Sequence, residues 1–215
     1  MSKDGLEDLL AGTAVVPVLV IDSVATAIPL ARALVAGGLP ILEITLRTEA
    51  ALDVIRAIGE EVDGAVVGAG TVLTPGQLEQ VAKVGARFAV SPGATATILD
   101  AARDSPVPLL PGAATASEVM RLLERGHHFM KFFPAEPAGG VAYLQALASP
   151  LPEARFCPTG GIDVERARTY LSLSNVVCVG GSWVTPGDAV RAGDWARVSA
   201  LATQAAALRK TSATS

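Results

Sequence analysis

The chain lacks the features that would send it to a membrane, to a nucleic acid or through a secretory route. It has no apolar stretch long enough to span a bilayer. Its first residues, Met1-Ser2-Lys3-Asp4-Gly5-Leu6-Glu7-Asp8, carry acid where a secretory leader carries base and then a long apolar run. Basic patches and basic–aromatic stretches are missing and the net charge is −4 with scattered signs, so neither nucleic acid nor membrane is expected as a partner. Cysteine is limited to Cys157 and Cys178, both in apolar, strand-like runs, which fits reduced, buried thiols in a cytoplasmic protein. The two histidines, His127 and His128, are adjacent and on a strand would face opposite sides; they read as structural residues at the start of a strand. No histidine–carboxylate cluster exists, so no metal and no cofactor is expected. A nucleophile elbow for a Ser-His-Asp triad is absent, as is a G-x-G-x-x-G after the first strand.

What the chain does have is core-forming material. Half of its 215 residues are hydrophobic and only 18% are charged, which suits one domain spanning residues 1–215. Apolar strand candidates alternate with amphipathic helices. The strands read as Ala14 to Val20, Pro40 to Leu46, Ala65 to Gly68, Ala86 to Ser91, Val107 to Pro111, Phe129 to Phe133, Arg155 to Pro158 and Val176 to Gly180. The helices read as Val24 to Ala36, Glu49 to Glu61, Pro75 to Val84, Thr95 to Arg103, Ala116 to Arg125, Gly140 to Ala148, Val164 to Leu171 and Asp194 to Arg209. Thr115-Ala116-Ser117-Glu118 is a capping box, Thr74-Pro75 an N-cap before a first-turn proline, and Gly37-Gly38, Gly85 and Gly126 are left-handed helix ends. Pro29 falls inside the first of these helices, which therefore starts later or kinks.

Eight strand–helix units imply an α/β fold, a closed (β/α)₈ TIM barrel, with an N-terminal helix, Gly5 to Leu10, over its bottom. An open doubly wound sheet is the competing arrangement, weakened by the missing glycine fingerprint.

Only four lysines occur, and Lys131 alone lies inside a strand-like run, among Phe129, Met130, Phe132 and Phe133. Desolvation disfavours a charged lysine, and a free amine is a nucleophile toward carbonyls. Lys131 equally suits a strand end whose amine snorkels to water. In a barrel, alternate strand residues face the lumen. Leu42, Ile44 and Leu46 then face the helices and Ile41, Glu43, Thr45 and Arg47 the lumen. Met130 and Phe132 face the helices and Phe129, Lys131 and Phe133 the lumen. Glu43, the one carboxylate inside a strand run, either pairs with Arg47 or shares a cavity with Lys131. The Gly160-Gly161 and Gly180-Gly181-Ser182 segments follow the seventh and eighth strands, the usual barrel phosphate site. Neither segment contains a lysine or arginine, so backbone N–H groups of Gly160, Gly161 and Gly181 with the Ser182 hydroxyl are expected to hold an anion without a point charge.

Several motifs, in order and across nearly the whole chain, are similar to a known family: Leu42-Glu43-Ile44-Thr45-Leu46-Arg47-Thr48, Val67-Gly68-Ala69-Gly70-Thr71-Val72-Leu73, Ser91-Pro92-Gly93, Lys131-Phe132-Phe133-Pro134-Ala135-Glu136, Pro158-Thr159-Gly160-Gly161-Ile162 and Gly180-Gly181-Ser182-Trp183. They resemble the bacterial 2-keto-3-deoxy-6-phosphogluconate (KDPG) aldolases of the Entner–Doudoroff pathway, also called 2-dehydro-3-deoxy-phosphogluconate aldolases. The resemblance implies a homotrimeric class I aldolase without cofactor, acting on a phosphorylated keto acid and releasing pyruvate and D-glyceraldehyde 3-phosphate. It implies Lys131 as the Schiff-base residue and Glu43 as the general acid/base. Arg47, Thr71 and Pro92 line the pyruvate end, Thr159 lies near the reacting aldehyde carbon, and Gly160, Gly161, Gly181 and Ser182 hold the phosphate. Relatives acting on 4-hydroxy-2-oxoglutarate or 2-dehydro-3-deoxy-6-phosphogalactonate are the near alternatives. A phosphosugar isomerase or epimerase barrel, or a non-catalytic phosphate-binding barrel, is the remote one.

Overall fold

Residues 4–208 are described by a computed structural model, in which helices and strands alternate along the chain. The order is α1 (Asp4–Ala11), β1 (Val15–Leu19), α2 (Val24–Ala36), β2 (Ile41–Thr45), α3 (Ala51–Glu61), β3 (Val66–Gly70), α4 (Pro75–Lys83), β4 (Ala89–Val90) and α5 (Ala96–Asp104). It continues with β5 (Leu109–Leu110), β6 (Gly112–Ala113), α6 (Ala116–Glu124), β7 (Phe129–Phe132), α7 (Gly140–Leu147), β8 (Arg155–Pro158), α8 (Val164–Leu171), β9 (Val179–Gly181), α9 (Gly187–Ala192) and α10 (Trp195–Ala206). Every strand pair is parallel. Six strands form one sheet in the order β5-β4-β3-β2-β1-β9, and β6-β7-β8 form another. Single bridges, Phe156 to Val176 and Thr159 to Gly180, link β8 to the chain around β9.

Local chemistry sets many of the boundaries. Ser23, Thr74, Thr95 and Asp163 cap α2, α4, α5 and α8 with their side chains, each accepting an N–H of the first turn. Gly38, Gly85 and Gly126 take positive φ just past α2, α4 and α6. The capping box on α6 forms as expected: Thr115 Oγ1 accepts the Glu118 N–H, while Glu118 Oε2 accepts the Ala114 and Thr115 N–H groups at 2.9 Å each. The Ala114 N–H is the leading reason that the Glu118 carboxyl sits below its usual range. A depressed carboxyl contributes stability above its unfolded pKa and loses it as pH falls through the folded one. Thr115→Ala is expected to lower unfolding free energy by about 1 kcal/mol, read as a lower urea midpoint at neutral pH.

Two features depart from the sequence reading. The fifth strand is split at Pro111, which has no N–H to give to a ladder; Lys131 N–H instead donates to the Pro111 carbonyl at 2.9 Å. Helix α9 is an addition, hidden behind the turn-like Thr185-Pro186-Gly187. Helix α2 keeps the bounds read from the sequence, Val24–Ala36, with Pro29 inside it and no later start. The final helix ends at Ala206; Arg209, the sequence-based end, lies outside the described residues. Among the described residues no helix is long and apolar enough to cross a membrane.

Strand alternation divides the buried apolar residues into two groups. Leu42, Ile44, Met130 and Phe132 pack with helix residues such as Leu34, Val54 and Leu144. Ile41 and Phe129 pack instead with Val16, Phe88, Val90, Leu110, Cys157, Cys178 and, from α1, Leu6 and Leu10. The second group lies on the strand faces turned away from the helices, with α1 against it. Glu43 and Lys131 share those faces, one alternation further along β2 and β7 than Ile41 and Phe129.

Candidate active site

All five residues of β2 are buried, and Glu43 stands in register with Val18 of β1 and Gly68 of β3. Gly70 ends β3 without a side chain, and a Cβ there would overlap the Glu43 carboxyl group. On β7, Lys131 is in register with Gly112 and Cys157. These placements bring Lys131 Nζ to 3.1 Å from Glu43 Oε1, with the two side chains only 7% and 5% exposed. The amine also lies 5.4 Å from the centre of the Phe133 ring. Lys131 therefore does not snorkel to water, and Glu43 has Lys131 as its partner. A buried amine hydrogen-bonded to one carboxylate can exchange a proton with it and add to a carbonyl brought alongside.

Arg47 is held differently. Its Nε donates to Thr45 Oγ1 at 3.1 Å, and that hydroxyl donates to the Leu19 carbonyl at 2.8 Å. The rest of the guanidinium fork stays available for a carboxylate. Thr71, next after β3, has φ of 59°, the one positive φ outside glycine among the described residues. A non-glycine residue held there costs about 1–3 kcal/mol, a strain that collects at functional sites. Pro92 packs its backbone where a Cβ on Gly112 would be, one strand away from Lys131.

Thr159 is 6% exposed, lies against Gly180, and its hydroxyl has no hydrogen-bond partner. An unpaired buried hydroxyl is costly, so it is poised for a group supplied from outside the protein. Gly160 and Gly161 have φ of 108° and 77°, the left-handed region that glycine enters without steric penalty. A network the sequence reading missed holds this turn. Tyr170 OH donates to Glu136 Oε1 at 2.6 Å, Arg166 Nε lies 3.0 Å from Glu136 Oε2, and Arg166 Nη1 reaches Asp163 Oδ2 at 2.6 Å and the Gly161 carbonyl at 3.3 Å. Burial first, then the bond to Glu136, pushes the Tyr170 phenol well above its usual range, keeping it a donor. The available signal was Glu136, the end of the Lys-Phe-Phe-Pro-Ala-Glu run, which no role had absorbed.

An open cleft of about 550 Å³ runs along Arg47, Thr159 and the glycine turns. Arg47, Phe133, Thr159, Gly160, Gly161, Gly181 and Ser182 line it, and so do Asp22 and Arg191. Lys131, Glu43, Thr71 and Pro92 are not in that lining; Phe133 lines the cleft and also has its ring centre 5.4 Å from the amine. The cleft lining also includes a cation that the reading of the two loops did not consider, Arg191. The two glycine loops hold no cation, but α9 supplies one to the same cleft. His127 and His128 immediately precede β7, His127 buried and His128 Nδ1 3.7 Å from Glu153. Among the described residues no group of three or more histidines, cysteines and carboxylates is placed to hold a metal.

A parallel α/β fold whose strand faces enclose a lysine–carboxylate pair, beside glycine turns fit for an anion, is the layout of an enzyme acting on carbonyl compounds. The chain belongs to the family of KDPG and KHG aldolases, whose model matches residues 6–201. It is 52% identical over 203 residues to the KHG/KDPG aldolase of Escherichia coli K12, covering 94% of this chain and 95% of that one. Among solved structures, the KDPG aldolase of Zymomonas mobilis ZM4 with 3-phosphoglycerate is similar at 46% identity and a TM-score of 0.92, covering 98% and 99% of the two chains. The KDPG aldolase of Legionella pneumophila, with pyruvate captured as a covalent carbinolamine, matches at 44% identity and a TM-score of 0.91, covering 93% and 97%.

Proposed function

We propose that this chain is a class I aldolase that cleaves 2-dehydro-3-deoxy-6-phospho-D-gluconate to pyruvate and D-glyceraldehyde 3-phosphate, the Entner–Doudoroff reaction. The observation that carries the reading is the buried contact of 3.1 Å between Lys131 Nζ and Glu43 Oε1. Family membership and the carbinolamine captured in the Legionella relative support it.

In this mechanism the Lys131 amine adds to the C2 ketone. Glu43 gives a proton to the carbinolamine oxygen, which leaves as water, and a cationic imine remains. Glu43, directly or through water, then takes the C4 hydroxyl proton. The C3–C4 electron pair flows into the imine, and glyceraldehyde 3-phosphate departs. Protonation of the enamine at C3 and hydrolysis release pyruvate and restore the amine. Arg47 grips the substrate carboxylate with its planar fork, with Thr71 and Pro92 shaping that end. The free Thr159 hydroxyl meets the oxygen on C4, and Gly160, Gly161, Gly181 and Ser182 take the phosphate. A coupled assay of pyruvate release tests the assignment. The phosphogluconate substrate is expected to be cleaved with the highest kcat/KM, above 4-hydroxy-2-oxoglutarate and the phosphogalactonate epimer. The E. coli relative's KHG/KDPG name favours 4-hydroxy-2-oxoglutarate as the second substrate.

The same reading closes the two sheets into one (β/α)₈ barrel of a single domain, supported by the bridges from β8 to β9 and by the one-residue gap between β5 and β6. It also carries a homotrimer in the cytoplasm. Light scattering giving a monomer would remove the trimer.

At the phosphate end, Ser182→Ala removes one donor among several. It is expected to lower kcat/KM by about tenfold, the low end of the 1.5–3 kcal/mol for a hydrogen bond to a charged group. Gly161→Val is expected to do more harm. Its φ of 77° resists a branched side chain, and a Cβ would sit 2.9 Å from Glu136 Cγ, so the turn must move. Steady-state kinetics on phosphorylated and dephosphorylated substrate, beside borohydride trapping of pyruvate, separates this loss from damage to the amine.

A further inference from the structure

We infer that Arg191 is a cationic clamp on the substrate's phosphate and sets the enzyme's preference for phosphorylated over unphosphorylated keto acids. This inference rests on the aldolase reading above. Arg191 lines the same cleft as Gly160, Gly161, Gly181 and Ser182, although it is distant from them in sequence. Its guanidinium is exposed and makes no hydrogen bond or ion pair within the described residues. The neighbouring arginines are engaged. Arg197 is 2.6 Å from Asp188, the acid of α9, and Arg166 is bound to Asp163 and Glu136. The Asp188 carboxylate that might have neutralised Arg191 on its own helix is thus already taken.

Two further details bear on its role. Gly187, one turn earlier on α9 and also in the cleft lining, leaves a space into which Arg191 folds: a Cβ on Gly187 would sit 3.1 Å from Arg191 Nη1. Asp22 lines the cleft from the segment after β1 and opposes an incoming phosphate dianion. Backbone N–H groups supply directed partial charges, but they do not offset a whole negative charge as a cation does. Arg47, the other arginine of the lining, is taken up by the substrate carboxylate in the proposed mechanism. Arg191 is therefore the cation left for the phosphate, and a guanidinium presents two parallel donors to two phosphate oxygens.

The test compares kcat/KM for 2-dehydro-3-deoxy-6-phosphogluconate and for 4-hydroxy-2-oxoglutarate in wild type, Arg191→Gln, Arg191→Glu and Arg191→Lys, at low and high salt. In Arg191→Gln the ratio of the two values is expected to fall about tenfold, mainly through KM of the phosphorylated substrate. Arg191→Glu should fall further, Arg191→Lys should recover part of the loss, and the salt dependence of the ratio should flatten once the cation is gone. A wild-type preference that persists within twofold in Arg191→Gln overturns the role of Arg191 and leaves the aldolase assignment standing. Absence of any wild-type preference for the phosphorylated substrate overturns the phosphate end of the assignment as well. Circular dichroism of each variant checks that the exposed substitution has left the fold intact.

Discussion

Lys131→Met is expected to abolish borohydride trapping of pyruvate and to reduce turnover by three orders of magnitude or more, about 4 kcal/mol of barrier at 1.36 kcal/mol per decade. In wild type, reduction with pyruvate should leave a pyruvate-derived mass on the peptide carrying Lys131. Methionine matches the length of the lysine stem but offers neither an amine for C2 nor a cation for Glu43. Its effect on stability follows from that second loss. The Glu43 carboxylate, 5% exposed, would remain where Gly70 leaves it room and where no other cation among the described residues is bonded to it. Removing one member of a buried ion pair costs about 3–5 kcal/mol because the survivor is left uncompensated. Lys131→Met should therefore unfold at lower denaturant than wild type, and Lys131→Met with Glu43→Gln should recover part of the difference. An adduct found on Lys83, or trapping that survives in Lys131→Met, would return Lys131 to a structural role.

Much of this was legible in the sequence, because the signals were local or periodic. The alternation of Ile41, Glu43 and Thr45 against Leu42 and Ile44 is a two-residue period, and it assigns faces before any neighbour is known. The Thr115–Glu118 box and the Thr74-Pro75 pair are decided within four residues. Other parts depend on what lies across the sheet. Glu43 had two candidate partners, and the choice of Lys131 over Arg47 rests on Gly70 one strand away and on the Thr45 hydroxyl that engages Arg47. Tyr170, Glu136 and Arg166 meet only because β8 and α8 bring the Gly160-Gly161 turn against the segment after β7. Helix α9 was illegible for a different reason. It has only six residues and opens on Pro186-Gly187, which reads as a loop, so nothing in the sequence placed the cation it carries into the cleft.

Glu43→Gln is expected to keep the fold and lose about 10²–10⁴-fold in kcat, the usual worth of a general acid/base group. The amide has the volume of the carboxylate, so the space beside Gly70 stays filled and the carbonyl of the new side chain can still accept a bond from Lys131. What it cannot do is carry the proton, which the proposed cycle moves at least three times: onto the carbinolamine oxygen, off the C4 hydroxyl, and again during hydrolysis of the pyruvate imine. The amine itself remains. Pyruvate should still add to Lys131 and be trapped by borohydride, but more slowly, because loss of water from the carbinolamine has lost its acid. Quenched-flow trapping should show a slower approach to the reduced adduct with an undiminished endpoint. That pattern separates a proton-transfer residue from one that only positions the lysine, since mispositioning would lower the endpoint too. The variant should also lose stability, because a buried charge has lost its counter-ion. A folded Glu43→Gln enzyme with near-normal kcat would reduce Glu43 to an ion partner of Lys131 and would require another group to move the protons.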